Sequence, residues 1–326
     1  MLPSADTLHR NALVIDGHCD FLYESLRTGR RLADDAEAHI TLRRLQQGGY
    51  SAQVFALFEH WAALSTPQAA TVRALCAIEA FYAELESHPR LLRPARTAAD
   101  IESAQAKGQI ACLLSIEGAE PLAGDVRLLR TFHRLGVRSL GLVWNYRNRA
   151  ADGLSVDNPG GLTDFGRALV REAERLGVLV DIAHLSPPGV DDVFRLASRP
   201  VIASHANAFA VCPHRRNLTD RQLDMLAASG GVIGVTFVPQ FIAPGARQAT
   251  LRQLVAHIVH IRQRIGAQHI AIGSDFEGYS GLTVGLEHAG KLPALTAALL
   301  EAGFTPSEVE GILGGNFLRV LKAVAG

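Results

Sequence analysis

Short apolar runs alternate with longer stretches of helical spacing from one end of the chain to the other. Eight of the runs read as strands: residues 13–18, 51–58, 110–116, 138–144, 178–183, 200–204, 231–237 and 269–273. They are nearly continuous in apolar residues rather than alternating, as in strands buried on both faces of a parallel sheet. Between them, apolar residues recur at helical spacing over 67–85, 124–135, 163–176, 191–197, 219–228, 251–265 and 292–302. Local punctuation agrees. Thr66 stands as an N-cap before Pro67, and Thr305-Pro306-Ser307-Glu308 opens the last segment with an N-cap, a first-turn proline and a carboxylate three residues on. Gly136, Gly177 and Gly266 fall where helices hand over to the fourth, fifth and eighth strands.

Eight strands, each followed by a crossover, predict a (β/α)8 barrel of the TIM type, favoured over an open doubly wound sheet because eight is the number that closes. A length of 326 residues would by itself allow two domains. No linker, charge block, low-complexity run or internal repeat divides the chain, so residues 1–326 read as one catalytic barrel domain. The connections 19–49 and 147–161 are long enough to cover one face of it.

Composition narrows the partners. Lys+Arg and Asp+Glu both number 32, and a net charge of zero argues against nucleic acid or an anionic membrane as the target. Cys19, Cys76, Cys112 and Cys212 are widely spaced with no Cys-x-x-Cys pair, which reads as buried thiols in a reducing compartment rather than a disulfide framework. The opening Met1-Leu2-Pro3-Ser4-Ala5-Asp6 lacks the basic-then-apolar pattern of a signal peptide, and no apolar run reaches the ~18 residues of a membrane span. The expectation is a soluble, cytoplasmic protein.

The chemistry lies at the strand ends. In an extended strand His18 and Asp20 point to the same face, and a nitrogen converging with a hard oxygen suits a divalent metal such as zinc. Alone, His-x-Asp says little, since a histidine on an apolar strand is more often a satisfied core residue. Five strands, however, end in residues of ligand type: His18 with Asp20, then Glu117, His184, His205 and Asp275. In a barrel those ends ring one mouth, where such folds place their chemistry. Three histidines and two or three carboxylates exceed the three protein ligands of a mononuclear catalytic zinc. The count points to two ions, with Glu117, on the strand between the two ligand groups, as the bridge. His257 and His260 sit on a helix expected outside the barrel and are discounted. His214, beside Arg215 and Arg216, is a candidate neighbour of the substrate. Tyr23, Phe58 and Tyr279 are candidates to line a pocket, although aromatic residues beside barrel strands are more often packing.

Ile15-Asp16-Gly17-His18-Cys19-Asp20, Ser115-Ile116-Glu117-Gly118, Leu135-Gly136-Val137-Arg138, Asp181-Ile182-Ala183-His184-Leu185-Ser186, Ser204-His205, Arg215-Arg216-Asn217-Leu218, Ile272-Gly273-Ser274-Asp275-Phe276 and Gly314-Gly315-Asn316-Phe317-Leu318-Arg319 follow one another over nearly the whole chain. Together they resemble the membrane (renal) dipeptidase family of zinc peptidases, in its bacterial type. The resemblance implies a (β/α)8 barrel with two zinc ions per chain. It implies hydrolysis of dipeptides with a free C-terminal carboxylate, L-Xaa-L-Xaa and L-Xaa-D-Xaa, through a metal-bridging hydroxide, and by analogy a homodimer. It puts His18 and Asp20 on one zinc and His184 and His205 on the other, with Glu117 bridging. Asp275 matches the acid/base carboxylate, taking the water's proton and returning it to the leaving amine. Arg216 matches the arginine that binds the substrate's C-terminal carboxylate, a task suited to a planar fork.

One position departs. Animal members carry a substrate-contacting histidine after the fourth strand, where this chain has Trp144 followed by Asn145. Either Asn145 supplies the polar contact or the substrate oxygen relies on zinc alone, with Trp144 as a pocket wall. The alternative function is another amide or ester hydrolase of the metal-dependent barrel class, acting on β-lactam, lactone or N-acyl substrates. Those barrels open with His-x-His on the first strand, whereas this chain has His-x-Asp. A non-catalytic metal-binding scaffold is a third reading, and the intact ligand set with Asp275 argues against it.

Overall fold

The eight apolar runs become eight parallel strands that close on themselves. A computed structural model describes residues 4–34, 37–60, 64 and 66–326. In chain order the strands are β1 (Ile15–Cys19), β2 (Ala52–Leu57), β3 (Leu92–Pro94), β4 (Ile110–Glu117), β5 (Val137–Gly141), β6 (Leu179–Asp181), β7 (Ile202–Ala206), β8 (Val232–Val235), β9 (Gln248–Thr250), β10 (Ile270–Ile272) and β11 (Leu282–Val284). Neighbours run β2-β1-β10-β8-β7-β6-β5-β4, and β4 pairs back to β2 from Ala52↔Ala111 to Leu57↔Ile116. That last pairing makes the sheet a barrel, and the open doubly wound alternative falls away.

Three strands lie outside the eight. Pairing from Leu92↔Ile110 to Pro94↔Cys112, β3 occupies the edge of β4 before β5 joins at Leu114. β9 and β11 form a separate two-stranded parallel sheet between the segments that follow β8 and β10. Each of these three buries only one residue, so no apolar run marks it in the sequence.

The helices follow their caps. Thr66, Thr163, Thr219, Thr250 and Thr305 each accept a backbone N–H at a helix start. Gly177 ends the helix Asp164–Leu176 at φ 72°, a left-handed C-cap that β-carbon-bearing residues disfavour. Helices Ala5–Asn11, Phe21–Thr28, Leu42–Gln47 and Ala98–Ala106 were not anticipated. Phe21–Thr28 and Leu42–Gln47 lie inside the long connection after β1, and Ala98–Ala106 buries only Ile101 and two alanines, a weak apolar stripe.

Two apolar cores result. One lies between strands and helices. The other fills the barrel's N-terminal end, where Ile15, Val54, Leu113, Leu179, Ile202 and Val232 meet Phe317 and Leu321 of the helix Asn316–Ala325. That helix plugs the bottom and leaves the opposite end to the polar residues. Near that end the barrel is narrow: a β-carbon on Gly234 or Gly273 would lie 2.0 or 1.7 Å from the carbonyl oxygen of Ser204. Only glycine permits this approach. None of the described helices is long and apolar enough to cross a membrane. Met1, Leu2 and Pro3, part of the stretch read for a signal peptide, lie outside the described residues.

Candidate active site

All six residues of ligand type meet at the C-terminal mouth. His18 Nε2 lies 3.6 Å from Asp20 Oδ2, 3.6 Å from Glu117 Oε2 and 3.9 Å from Asp275 Oδ1. Glu117 Oε1 lies 2.9 Å from His184 Nε2 and 3.5 Å from His205 Nε2. The two oxygens of Glu117 therefore face different histidines, Oε2 toward His18 and Oε1 toward His184 and His205. Two sets of three ligand atoms emerge from the same cluster, His18 with Glu117 and His205, and His18 with Asp20 and Asp275.

The local reasons differ from the expected ones in two places. His18 and Asp20 do not converge by strand periodicity, because β1 ends at Cys19 after a register irregularity and Asp20 is the N-cap residue of the helix Phe21–Thr28. His184 and Asp275 lie beyond β6 and β10, since both take left-handed backbone conformations, with φ of 66° and 64°. Such non-glycine conformations cost on the order of 1–3 kcal/mol and persist where surrounding contacts over-determine them.

Those contacts are present. Fully buried Asp16 accepts from the Ser274 N–H at 2.9 Å, the Ser274 hydroxyl at 2.5 Å and the His18 N–H at 3.2 Å, tying the end of β1 to the turn that carries Asp275. Asp181 accepts from the N–H groups of Ala183 (3.0 Å) and Ser204 (2.9 Å), joining the turn of His184 to the strand of His205. His184 Nδ1 donates to Asn145 Oδ1 at 2.8 Å, which leaves the Nε2 lone pair facing the cavity. His205 Nδ1 is held at 2.8 Å by the Ser204 hydroxyl. Sequence reading missed these supports. Asp16, Ser274, Asp181 and Ser204 each sit one to three residues from a named histidine or carboxylate, but nothing in the spacing says which way their side chains turn, and Asn145 was read only as a neighbour of the substrate.

The electrostatics call for positive charge. Burial, with Asp20 and Asp275 beside it, pushes the Glu117 carboxyl well above the usual range. Burial and Asp20 push Asp275 up to about 8. Burial opposes the charge of His18, yet Glu117, Asp20 and Asp275 outweigh it and raise its pKa to about 10. Burial, then Arg216 and His18, hold His184 well below its ordinary value, and His205 is lowered by the same causes. Neutral imidazoles beside crowded carboxylates are a donor set for divalent cations. Two buried atoms in it, His18 Nε2 and Asp20 Oδ1, have no hydrogen-bond partner. Buried polar atoms are rarely left so, and a metal ion satisfies both. The residues present thus fit a metal.

Above the cluster opens a cavity of about 620 Å³, within the range of small-molecule sites. Arg216 is buried in its wall. Its Nη2 donates to His184 Nε2 at 3.0 Å and to the His205 carbonyl at 3.2 Å, while its Nε is buried without a partner. Trp144, Asn145, His214, Tyr23, Phe58 and Tyr279 all line the cavity. His257 and His260 are elsewhere: His257 bonds to the backbone of Ala208 and Ile242, and His260 to Asp220.

Comparison with known proteins agrees with this geometry. The model of the membrane dipeptidase family, peptidase family M19, matches residues 2–326. A dipeptidase of Claviceps purpurea (tcpJ) is 32% identical over 324 residues, covering 95% of this chain and 76% of its own length. One of Clonostachys rogersoniana (verJ) is 33% identical over 327 residues, covering 95% and 84%. Among solved structures, the metallopeptidase dipeptidase AC shares 32% identity at a TM-score of 0.90, over 97% of this chain and 99% of its own. A Rhodobacter sphaeroides metallopeptidase liganded with a phosphinate mimic of the dipeptide L-Ala-D-Ala shares 31% at a TM-score of 0.89, over 96% and 99%. With the family model matching residues 2–326 and the barrel shared with solved metallopeptidases over nearly the whole chain, the chain belongs to the membrane dipeptidase family, peptidase family M19, a family of metal-dependent dipeptidases.

Proposed function

We propose that the protein is a zinc-dependent dipeptidase that hydrolyses dipeptides with a free C-terminal carboxylate, L-Xaa-L-Xaa and L-Xaa-D-Xaa. The observation that carries this reading is Glu117, whose two carboxylate oxygens face separate histidine groups, as a bridge between two ions requires. His18 and Asp20 would hold one zinc and His184 and His205 the other. Zinc bound there supplies an acidified water for attack and a Lewis acid for the scissile carbonyl. Asp275, at the cavity wall 3.9 Å from His18, takes the attacking water's proton and returns it to the leaving amine. Arg216, in the cavity wall, offers its guanidinium to the substrate's C-terminal carboxylate. Trp144 walls the cavity, and Asn145, which orients His184, stands beside the substrate. The phosphinate mimic carried by the Rhodobacter sphaeroides relative supports a D-configured C-terminal residue. The partner we infer is a small dipeptide, with no nucleic acid or membrane. The four unpaired cysteines favour the cytoplasm, and a homodimer and a single barrel domain complete the reading.

The test combines metal content with turnover. Zinc-reconstituted protein should hold two ions and cleave free-acid dipeptides much faster than their C-terminal amides. Asp275→Asn should retain its metal and lose about 10²–10⁴-fold in kcat. A near wild-type rate in that variant would remove the proton-transfer role, and fewer than one zinc per chain after reconstitution would overturn the two-ion site.

A further inference from the structure

Two opposite walls of the cavity differ in chemistry, and the difference bears on which dipeptides fit. Tyr23, Phe58, His60 and Trp144 form one continuous aromatic surface. Ring centroids lie 5.4 Å apart for Tyr23–Phe58, 5.5 Å for Tyr23–His60, and 5.3 Å for both Phe58–Trp144 and His60–Trp144. All four residues line the cavity. They come from three separate places, after β1, after β2 and after β5. The other wall comes from the segments after β7 and β8. There His214 stacks on Phe241 at 4.5 Å, and the Arg216 guanidinium lies over the same ring at 5.3 Å.

Around the closed barrel the order is β1, β2, β4, β5, β6, β7, β8, β10. The arc from β1 to β5 and the arc of β7 and β8 therefore face each other across the mouth. His184 stands between them. Its ring is 6.0 Å from Trp144, and its Nε2 accepts from Arg216 at 3.0 Å.

We propose that the aromatic wall is the subsite for the side chain of the substrate's N-terminal residue, and that it selects large apolar side chains such as phenylalanine and leucine. This rests on the role given to Arg216 above. With the C-terminal carboxylate on the β7–β8 side and the scissile bond over the histidines, the N-terminal residue extends toward β1, β2 and β5. Aromatic rings at these spacings present both faces and edges, to which another ring or a branched alkyl group packs. Among the described residues, the carboxylates next in sequence to this wall's Phe58, His60 and Tyr23 are already paired and offer a cationic side chain no free counter-charge. Glu59 is paired with Arg73 and Glu24 with Arg27, each at 2.8 Å.

The test measures kcat/KM of the zinc-loaded full-length enzyme for Phe-Ala, Ala-Ala, Lys-Ala and Ala-Phe. It repeats the set in the double variant Tyr23→Ala/His60→Ala. Wild type should favour Phe-Ala over Ala-Ala by about tenfold or more, and the double variant should bring that ratio to within about threefold of unity. A ratio taken within one protein sample is unaffected by any loss of folded enzyme. The subsite is overturned by a wild-type ratio near one, by Lys-Ala exceeding Phe-Ala, by a preference for Ala-Phe in place of Phe-Ala, or by a ratio that survives the double substitution. If no dipeptide is cleaved, the proposed function fails, and binding then decides the subsite by itself. Reduced-amide analogues of Phe-Ala and Ala-Ala are titrated against tryptophan fluorescence. Tighter binding of the phenylalanine analogue in wild type, lost in the double variant, upholds the subsite, and equal binding removes it.

Discussion

The two ends of the barrel are built from the same strands and do opposite things. At the N-terminal end Ile15, Val54, Leu113 and Ile202 point inward and are sealed by Phe317 and Leu321. A few residues along the same strands, His18, Glu117 and His205 occupy the C-terminal end, buried just as completely but polar. The first end loses apolar surface to the interior, which stabilises the fold. The second holds three carboxylates and three histidines away from water, which costs stability unless cations occupy it. The apolar contribution to stability and the chemistry are thus weighted toward opposite ends of the barrel.

The largest effect should come from the sealed end. Phe317→Ala removes the ring that closes the barrel bottom and should cost about 3–5 kcal/mol of stability, read by denaturant unfolding. Zinc affinity of the protein that remains folded should stay within about threefold of wild type, since the ring closes the end of the barrel opposite the ligand side chains. A large loss of metal affinity in this variant would mean that the two ends are coupled.

The converse change is at Asp16, which binds no metal but ties His18 to the turn of Asp275. Asp16→Asn keeps the shape and replaces one acceptor oxygen by a donor facing the Ser274 hydroxyl. Zinc affinity should fall about 10–100-fold, the usual size for a residue that orients ligands. Competition with a chromogenic chelator measures it, and unchanged affinity would show that the backbone holds His18 without help.

The smallest effect is a pH dependence belonging to the mouth alone. Glu120, in the turn that follows Glu117, is pushed up to about 7 by burial. A carboxyl raised in the folded state binds its proton more tightly there than in the unfolded chain. Its contribution is therefore most favourable at low pH and is lost as pH rises through about 7. Between pH 6 and 8 the wild type should lose about 1 kcal/mol that Glu120→Gln does not lose. Urea unfolding of both proteins at the two pH values checks this, and parallel pH profiles would place the proton elsewhere.

Much of the site was legible because strand ends are legible. An apolar run that stops at His18, Glu117 or His205 identifies both the strand and its functional end, and the barrel supplies the convergence. The caps at Thr66 and Thr305 were equally plain, since capping is a local hydrogen bond. Harder to see were residues whose role depends on direction. Asp16 and Asp181 read as ordinary members of apolar strands, and only their contacts show them bracing the site. Asn145 was expected beside the substrate, and its side chain also fixes the His184 ring.

What the sequence by itself determined is the period and the punctuation: eight buried strands, the more strongly patterned helices between them, and the polar residues that end the strands. These follow from local burial and local hydrogen bonds. What only the tertiary structure decided is which of those ends face one another. Closure of β4 onto β2 carries Phe58 and His60 to Tyr23 and Trp144, and sets that wall opposite Arg216. No local pattern encodes that meeting, because residues 35 to more than 100 positions apart in the chain become neighbours only when the sheet closes into a ring.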